Sequence, residues 1–332
     1  MAINPSKLKK AKEFNRQDVL FCLDRVPGSQ RLFCGSSDFK VYEVDLAAEK
    51  MEPKEMAGHE SYVTGVAVAG GHVVSGAYDG RLIWWNAETR EKVRTVEAHD
   101  RWIRNLVATP DAKHVISVAD DMVARVWDAQ SGKRIGELRG HAEKTPHNYP
   151  SMLYAVTVSA DSKLVATGDK TGLVNIWDLA SGKKLAEVKA PVLYTWDPRQ
   201  RRHSIGGVRS LAFSPDAKLL AVGGIGQIGN IDHLGGPSRL EVFDWRAGKR
   251  MVEHEHNKLK GLFERLEFSS SGDWIVGAGG DNGGFVQVYD LKGKKTIAEE
   301  KAPMHVHSFA LDEDSGTLYT VGYNRIVTWT MS

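Results

Sequence analysis

Cysteine is almost missing from this chain: Cys22 and Cys34 are the two in 332 residues. Two thiols cannot staple a chain of this length, and without a Cys-x-x-Cys pair they lack zinc-ligand spacing. They read as small buried residues in a reducing compartment. Long hydrophobic runs are missing too. No stretch approaches the roughly 18 apolar residues of a membrane-spanning helix. The opening MAINPSKLKKAKEF is basic with no apolar segment behind it, unlike a secretory leader. The Asn-x-Ser/Thr glycosylation pattern fails at Asn4 because Pro5 follows. Together these absences point to the cytoplasm. Neither sign of charge dominates, with 44 Lys and Arg against 42 Asp and Glu. A net +2 gives no global attraction to nucleic acid or to an anionic membrane.

Enzymatic spellings are also absent: there is no GxxxxGK[ST], HExxH or GxSxG. Gly224, Gly226 and Gly229 do spell GxGxxG after an apolar strand, but the following NIDHLGGPS has no helical period. A dinucleotide site needs a helix N-terminus there to face the pyrophosphate, so this match is a decoy. His141, His147, His203, Asp232 and His233 lack ligand spacing and read as surface residues. No cofactor and no metal are expected, and no catalytic residue is assigned.

What the chain does have is repetition. RLIWWNAETREK, VARVWDAQSGKR, LVNIWDLASGKK, LEVFDWRAGKR and VQVYDLKGKK share one design, with KVYEVDLAAEK and IVTWTMS as weaker copies. Each is a short strand ending in an aromatic and usually an Asp, then a turn and a basic residue. The second residue of each pair falls at Asp45, Asn86, Asp128, Asp178, Asp244, Asp290 and Thr330. By difference of residue numbers the intervals are 41, 42, 50, 66, 46 and 40. A basic period of about 40 to 45 is that of a four-stranded propeller blade. Further β-branched and apolar runs, split by turns such as PDAK and SSSGD, fill each period. No period holds a ten-residue amphipathic helix, so an all-β array is predicted.

These features resemble the WD-repeat (tryptophan–aspartate repeat) β-propeller family over essentially the whole chain. The family's Gly-His pair is matched at Gly58-His59, Ala98-His99 and Gly140-His141, and its Trp-Asp pair at Trp85-Asn86, Trp127-Asp128 and Trp177-Asp178. The resemblance implies a hydrogen-bonded lock in each blade. His59, Ser75, Asp79 and Trp85 fit it, as do His99, Ser117, Asp121 and Trp127. In the third set Thr167 and Trp177 fit, but Thr171 stands where the Asp belongs. A His–Asp pair recurring in successive blades is a structural device, since a catalytic site is grafted once onto a fold. The last period holds three strands, so Ser6–Phe14 is expected to supply the fourth and close the ring, removing an exposed sheet edge. The expected fold is a seven-bladed propeller of four-stranded antiparallel sheets. Residues 1–14 form the closing strand, and the blades occupy 15–57, 58–97, 98–139, 140–191, 192–258, 259–303 and 304–332.

The long intervals mark three insertions, Ala142–Pro150, Val192–Gly206 and Gly224–Ser238. By the family's topology all three decorate one face, and clustered insertions on a repeat protein often mark its binding face. They carry Tyr149, Tyr194 and Trp196 beside the basic cluster Arg199, Arg201, Arg202 and His203. Aromatics with arginines suit a protein interface. The resemblance puts Tyr62, Tyr78, Trp102, Arg104, Tyr154, Arg209 and Tyr323 on the same face. Trp102 and Arg104, two apart, share one side of their strand. The expected function is a monomeric, non-catalytic scaffold that binds a protein or peptide there. Two alternatives stand beside it: an anion or nucleic-acid binder using Arg199–His203, and an enzyme with its site at the central channel.

Overall fold

Runs of about six β-branched and small apolar residues, separated by Gly, Asp and Ser turns, favour short antiparallel strands. The computed structural model of the chain describes residues 3–48, 50–199, 203–232 and 234–332, without the side chain of residue 257. Within these, 28 strands form and the helices are two three-residue 3-10 turns, Pro5–Lys7 and Pro191–Leu193. One sheet comprises Val63–Ala69, His72–Ala77, Arg81–Asn86 and Lys92–Glu97, in chain order. The same plan recurs from Ile103 to Arg139, Leu153 to Lys189, Ser210 to Lys260 and Leu262 to Ala302. A sixth sheet has six strands: Val306–Asp312, Thr317–Thr330, Lys9–Arg25, Arg31–Ser36, Lys40–Asp45 and Lys54–Ala57. Tyr194–Asp197 and His203–Gly206 pair as a separate hairpin. The fold is an all-β propeller.

Six large sheets are present, not seven separate four-stranded ones. The reason is one uninterrupted strand, Lys9–Arg25. Its first half pairs with the chain's end, from Lys9↔Thr330 to Asn15↔Arg325, and its second half with Arg31–Ser36. The residues expected to form the first and last blades are therefore joined in one sheet. Thr317–Thr330 also turns back on itself. Trp329 Nε1 donates to Thr320 Oγ1 at 2.9 Å, although nine extended residues would part them by roughly 30 Å. The reversal lies at Asn324, whose φ is 57°.

The innermost strand of each repeat is buried and touches the innermost strand of the next. The apolar core lies between neighbouring sheets. Trp84, for example, packs edge-on against Trp127 of the following sheet and donates to Ala129 C=O at 2.9 Å. Cys22 and Cys34 are buried free thiols. The GxGxxG stretch leads into no helix: Leu219–Ile225 is a strand, and Gly226 N–H donates to Pro237 C=O.

Each of three consecutive sheets is pinned by a directional hydrogen-bond chain. Trp85 Nε1 donates to Ser75 Oγ (2.8 Å), which donates to His59 Nε2 (2.8 Å). That leaves Nδ1–H to donate to Asp79 at 3.0 Å. Trp127, Ser117, His99 and Asp121 repeat the chain at 2.9, 2.7 and 3.0 Å. Ser75 and Ser117 are wholly buried, their hydroxyls spent on Trp and His, so these Ser–His–Asp sets have no room for a substrate. Burial would raise the Asp121 carboxyl, but the His99 hydrogen bond and charge, with Arg125, overcome it and bring it down to about 2.

The third set is complete, contrary to the expectation from Thr171. Asp169, two residues earlier on the same side of the strand, holds His141 Nδ1 at 2.8 Å. His141 Nε2 meets Thr167 Oγ1 at 2.8 Å, which accepts from Trp177 at 2.9 Å. Thr171 bonds to Asp169 instead of replacing it. His141 is thus a buried lock residue and not a surface histidine. In the fifth repeat the chain is replaced by Arg239, buried and paired with Glu241, Glu253 and Glu255 at 2.6 to 2.7 Å.

Trp127→Ala, a large-to-small core change, should cost about 3–5 kcal/mol in urea unfolding. Asp169→Ala should cost about 1–3 kcal/mol by orphaning the buried His141 N–H, and Thr171→Ala markedly less.

Candidate functional site

The innermost strands surround a cavity of about 230 Å³. Phe21, Thr64, Arg104, Tyr154, Arg209, Glu264 and His307 line it. Around its mouth runs a chain of aromatic contacts. Tyr323 lies 5.5 Å from His307, His307 5.3 Å from Phe21 and Phe21 5.5 Å from Tyr62. Tyr62 continues to Tyr78 at 5.9 Å, and Tyr78 stacks on Trp102 at 4.6 Å. Phe39, Tyr62, Trp102 and Tyr323 expose 40 to 54% of their surface. Phe39 occupies the position that Gly80 holds in the next sheet, with φ of 73°. A left-handed backbone costs a bulky residue free energy, and Met122 bears the same cost at the equivalent turn before Val123, with φ of 62°.

Cations punctuate the arc. Arg104 grips Asp120 through two nitrogens at 2.7 and 2.8 Å and donates to Tyr78 Oη at 2.6 Å. Its guanidinium lies over Tyr78, Trp102 and Tyr154. Arg209 sits 3.9 Å over Tyr154, and its buried Nε has no hydrogen-bond partner. Lys170, at the position that Tyr78 holds two sheets earlier, is only 4% exposed. Burial lowers its ammonium pKa, and Arg209 lowers it further. Among the described residues no carboxylate lies within ion-pair distance of Lys170 or Arg209.

The insertions pack on one another beside this mouth. His147 stacks on Trp196 at 4.1 Å and meets Tyr194 Oη at 2.9 Å, while Tyr149 lies 5.3 Å from Trp196. Ile228 of the third insertion donates its N–H to Thr195 Oγ1 of the second. Trp196 is therefore held among insertion side chains, whereas Tyr62, Tyr78, Trp102, Arg104, Tyr154, Arg209 and Tyr323 lie along the channel mouth. An open hollow of about 830 Å³ connects the two regions, with Trp102 and Asp120 on one side and Lys144 and Pro150 on the other. Arg201, Arg202 and His233 lie outside the described residues. Arg199 donates its backbone N–H to Asp197.

Sequence reasoning passed over Phe21, Phe39, Lys170, Glu264, His305 and His307. Lys170 was legible by aligning the repeats, since it stands one residue after the displaced Asp169. His305 and His307 carried a weaker signal, a His-x-His whose two rings share one side of an extended chain. Glu264 had none.

The opposite end of the channel opens into a cavity of about 540 Å³ lined by Arg265, Glu267 and Glu313, among others. Burial pushes the Glu267 carboxyl up to about 7 against the pull of Arg265, with Glu313 and Asp24 adding to the rise.

Against known sequences, the family described as WD domain, G-beta repeat matches residues 52–86, 90–128, 132–178 and 197–227. The chain thus carries WD repeats across four regions. It is 28% identical over 211 residues to eukaryotic translation initiation factor 3 subunit I of Candida albicans, covering 61% of this chain and 52% of that protein. It is 34% identical over 101 residues to nuclear distribution protein nudF of Emericella nidulans, covering 30% and 22%. With nuclear distribution protein PAC1 of Arthroderma otae it shares 31% over 103 residues, covering 28% and 22%. The chain spans between a fifth and about half of the length of these relatives. Among the described residues no helix is long and apolar enough to cross a membrane.

A carboxyl raised in the folded state stabilises the fold below its ordinary pKa of about 4.3 and loses that contribution as pH climbs through its folded value. Between about pH 5 and 7 the thermal midpoint of wild type should therefore fall relative to that of Glu267→Gln in scanning calorimetry.

Proposed function

We propose that this chain is a non-catalytic interaction scaffold in the cytoplasm, binding an acidic segment of a partner protein across the channel mouth. The observation that carries this reading is the arc of exposed aromatics beside two recessed cations, Lys170 and Arg209, with no carboxylate within ion-pair distance among the described residues. Isolated exposed aromatics need no explanation, but Phe39, Tyr62, Trp102 and Tyr323 on one rim supply the anchor type that dominates protein interfaces. Lys170 and Arg209, recessed and unpaired, ask for a carboxylate from outside. The contacting set is Tyr62, Tyr78, Trp102, Arg104, Tyr154, Arg209 and Tyr323, with Trp196 and, from the sequence alone, Arg201 and Arg202 at the insertion edge. Two of the relatives are named as a subunit of an initiation factor and as a nuclear distribution protein, and the first name describes a part of an assembly.

We also read the six-stranded sheet as two blades sharing the strand Lys9–Arg25, which makes seven blades with the boundaries expected from the sequence. The reversal at Asn324 supports this, as does the register shift between Asn15 and Val19 that divides the shared strand. Pairing of Lys9–Asn15 with the chain's last strand then closes the ring, and deleting residues 3–14 should lower the thermal midpoint by several degrees, as a loss of about 1 kcal/mol or more does at this size.

The binding reading predicts that Tyr62→Ala/Trp102→Ala/Arg209→Ala, confirmed folded, retains at least tenfold less of a partner from native lysate than wild type. Val93→Ala/Leu185→Ala, on exposed outer strands, should retain it fully. Phe39→Gly should raise stability by about 1 kcal/mol or more through relief of the left-handed backbone while weakening partner capture. Equal capture by all variants would clear this face.

A further inference from the structure

Glu264, His305 and His307 bring one carboxylate and two imidazoles together at the channel mouth, their ligand-type atoms all within 4.8 Å of one another. They come from neighbouring innermost strands, and nothing in the protein-binding reading uses them as a set. The two rings stack at 4.5 Å. His305 is only 8% exposed, and its Nε2 approaches Glu264 Oε1 to 3.4 Å without forming a hydrogen bond. His307 Nε2 is likewise buried with no partner.

The protonation pattern follows from one contact. His305 Nδ1 lies 3.0 Å from the backbone carbonyl of Asp281, which can only accept. Nδ1 therefore carries a proton for that carbonyl, and Nε2 faces Glu264 and His307. An imidazole anchored through Nδ1–H to a carbonyl, with Nε2 left free, is the arrangement that orients metal-ligating histidines. The anchor itself is firm, because Asp281 sits in a turn closed by its own N–H to Gly283 C=O, and Tyr323 N–H bonds to His305 C=O at 3.2 Å.

We propose that Glu264, His305 and His307 form a binding site for a divalent transition-metal ion of the zinc type. Two nitrogens and one oxygen suit zinc, whose bonds of about 2 Å need donors roughly 3.3 Å apart. His305 and Glu264 stand at that separation, and small ring rotations bring His307 in. Phe21 and Tyr323 wall the rings from outside. Glu264 and His307 also line the central cavity, so a fourth position opens toward Arg209. Ligand spacing along the sequence does not reveal this set, because Glu264 and the two histidines lie about 40 residues apart.

The test is calorimetric titration of the chelator-stripped full chain with zinc chloride, with cobalt(II) absorption as a second readout. Wild type should bind one ion per chain and give the visible bands of four-coordinate cobalt. Loss of a direct ligand should cost at least what loss of an outer partner does, roughly 10- to 100-fold in affinity, in Glu264→Gln and His305→Ala. Glu264→Gln keeps size and shape, so it decides the question should His305→Ala fail to fold. His147→Ala/His203→Ala, on the exposed insertions, should bind as wild type. Absence of zinc binding by wild type, or Glu264→Gln binding as tightly as wild type, would overturn the site.

Discussion

A sheet of four six-residue strands has two apolar faces and can bury neither alone. Every other feature of this molecule follows from that constraint. Each sheet must find a neighbour on both sides, which only an array that returns on itself provides without exposed edges. The Trp–Ser–His–Asp chain is subordinate to this packing. It fixes the angle at which one repeat presents its inner strand, and Arg239 with its three glutamates does similar work where the aromatic is Phe243. The lock is a hydrogen-bond chain with a direction, and it tolerates movement of its end group. Asp169 shows this: displaced by two residues, it still reaches His141.

That displacement also explains what was readable in the sequence. Periodicity and the aromatic–Asp pairs identified the fold because every repeat votes for it. Thr171 misled because position was taken to define function, whereas side-of-strand does. The union of the first and last repeats in one sheet was not legible, since continuity of Lys9–Arg25 depends on a partner at the other end of the chain. The aromatic residues of the channel mouth were visible by analogy between repeats. Lys170 could be placed by the same analogy, but the meaning of Lys170, Glu264, His305 and His307 was not legible, because it lies in what they lack or face. Such absences exist only in three dimensions.

The mouth unites two kinds of tension. Phe39 holds a backbone conformation that suits glycine, and Lys170 and Arg209 hold charge away from water without a partner. Neither helps the protein fold. At the other end of the channel two carboxylates, Glu267 and Glu313, line the cavity beside Arg265, and burial lifts Glu267 to about 7.

The pairing of Lys9 with Thr330 has a consequence in time. Lys9–Asn15 leaves the ribosome roughly 300 residues before the segment it pairs with. Until that segment follows, half of the strand offers unpaired backbone to any neighbouring chain. The pairing also requires the closure of a loop of roughly 300 residues, so it forms late among the contacts of this sheet.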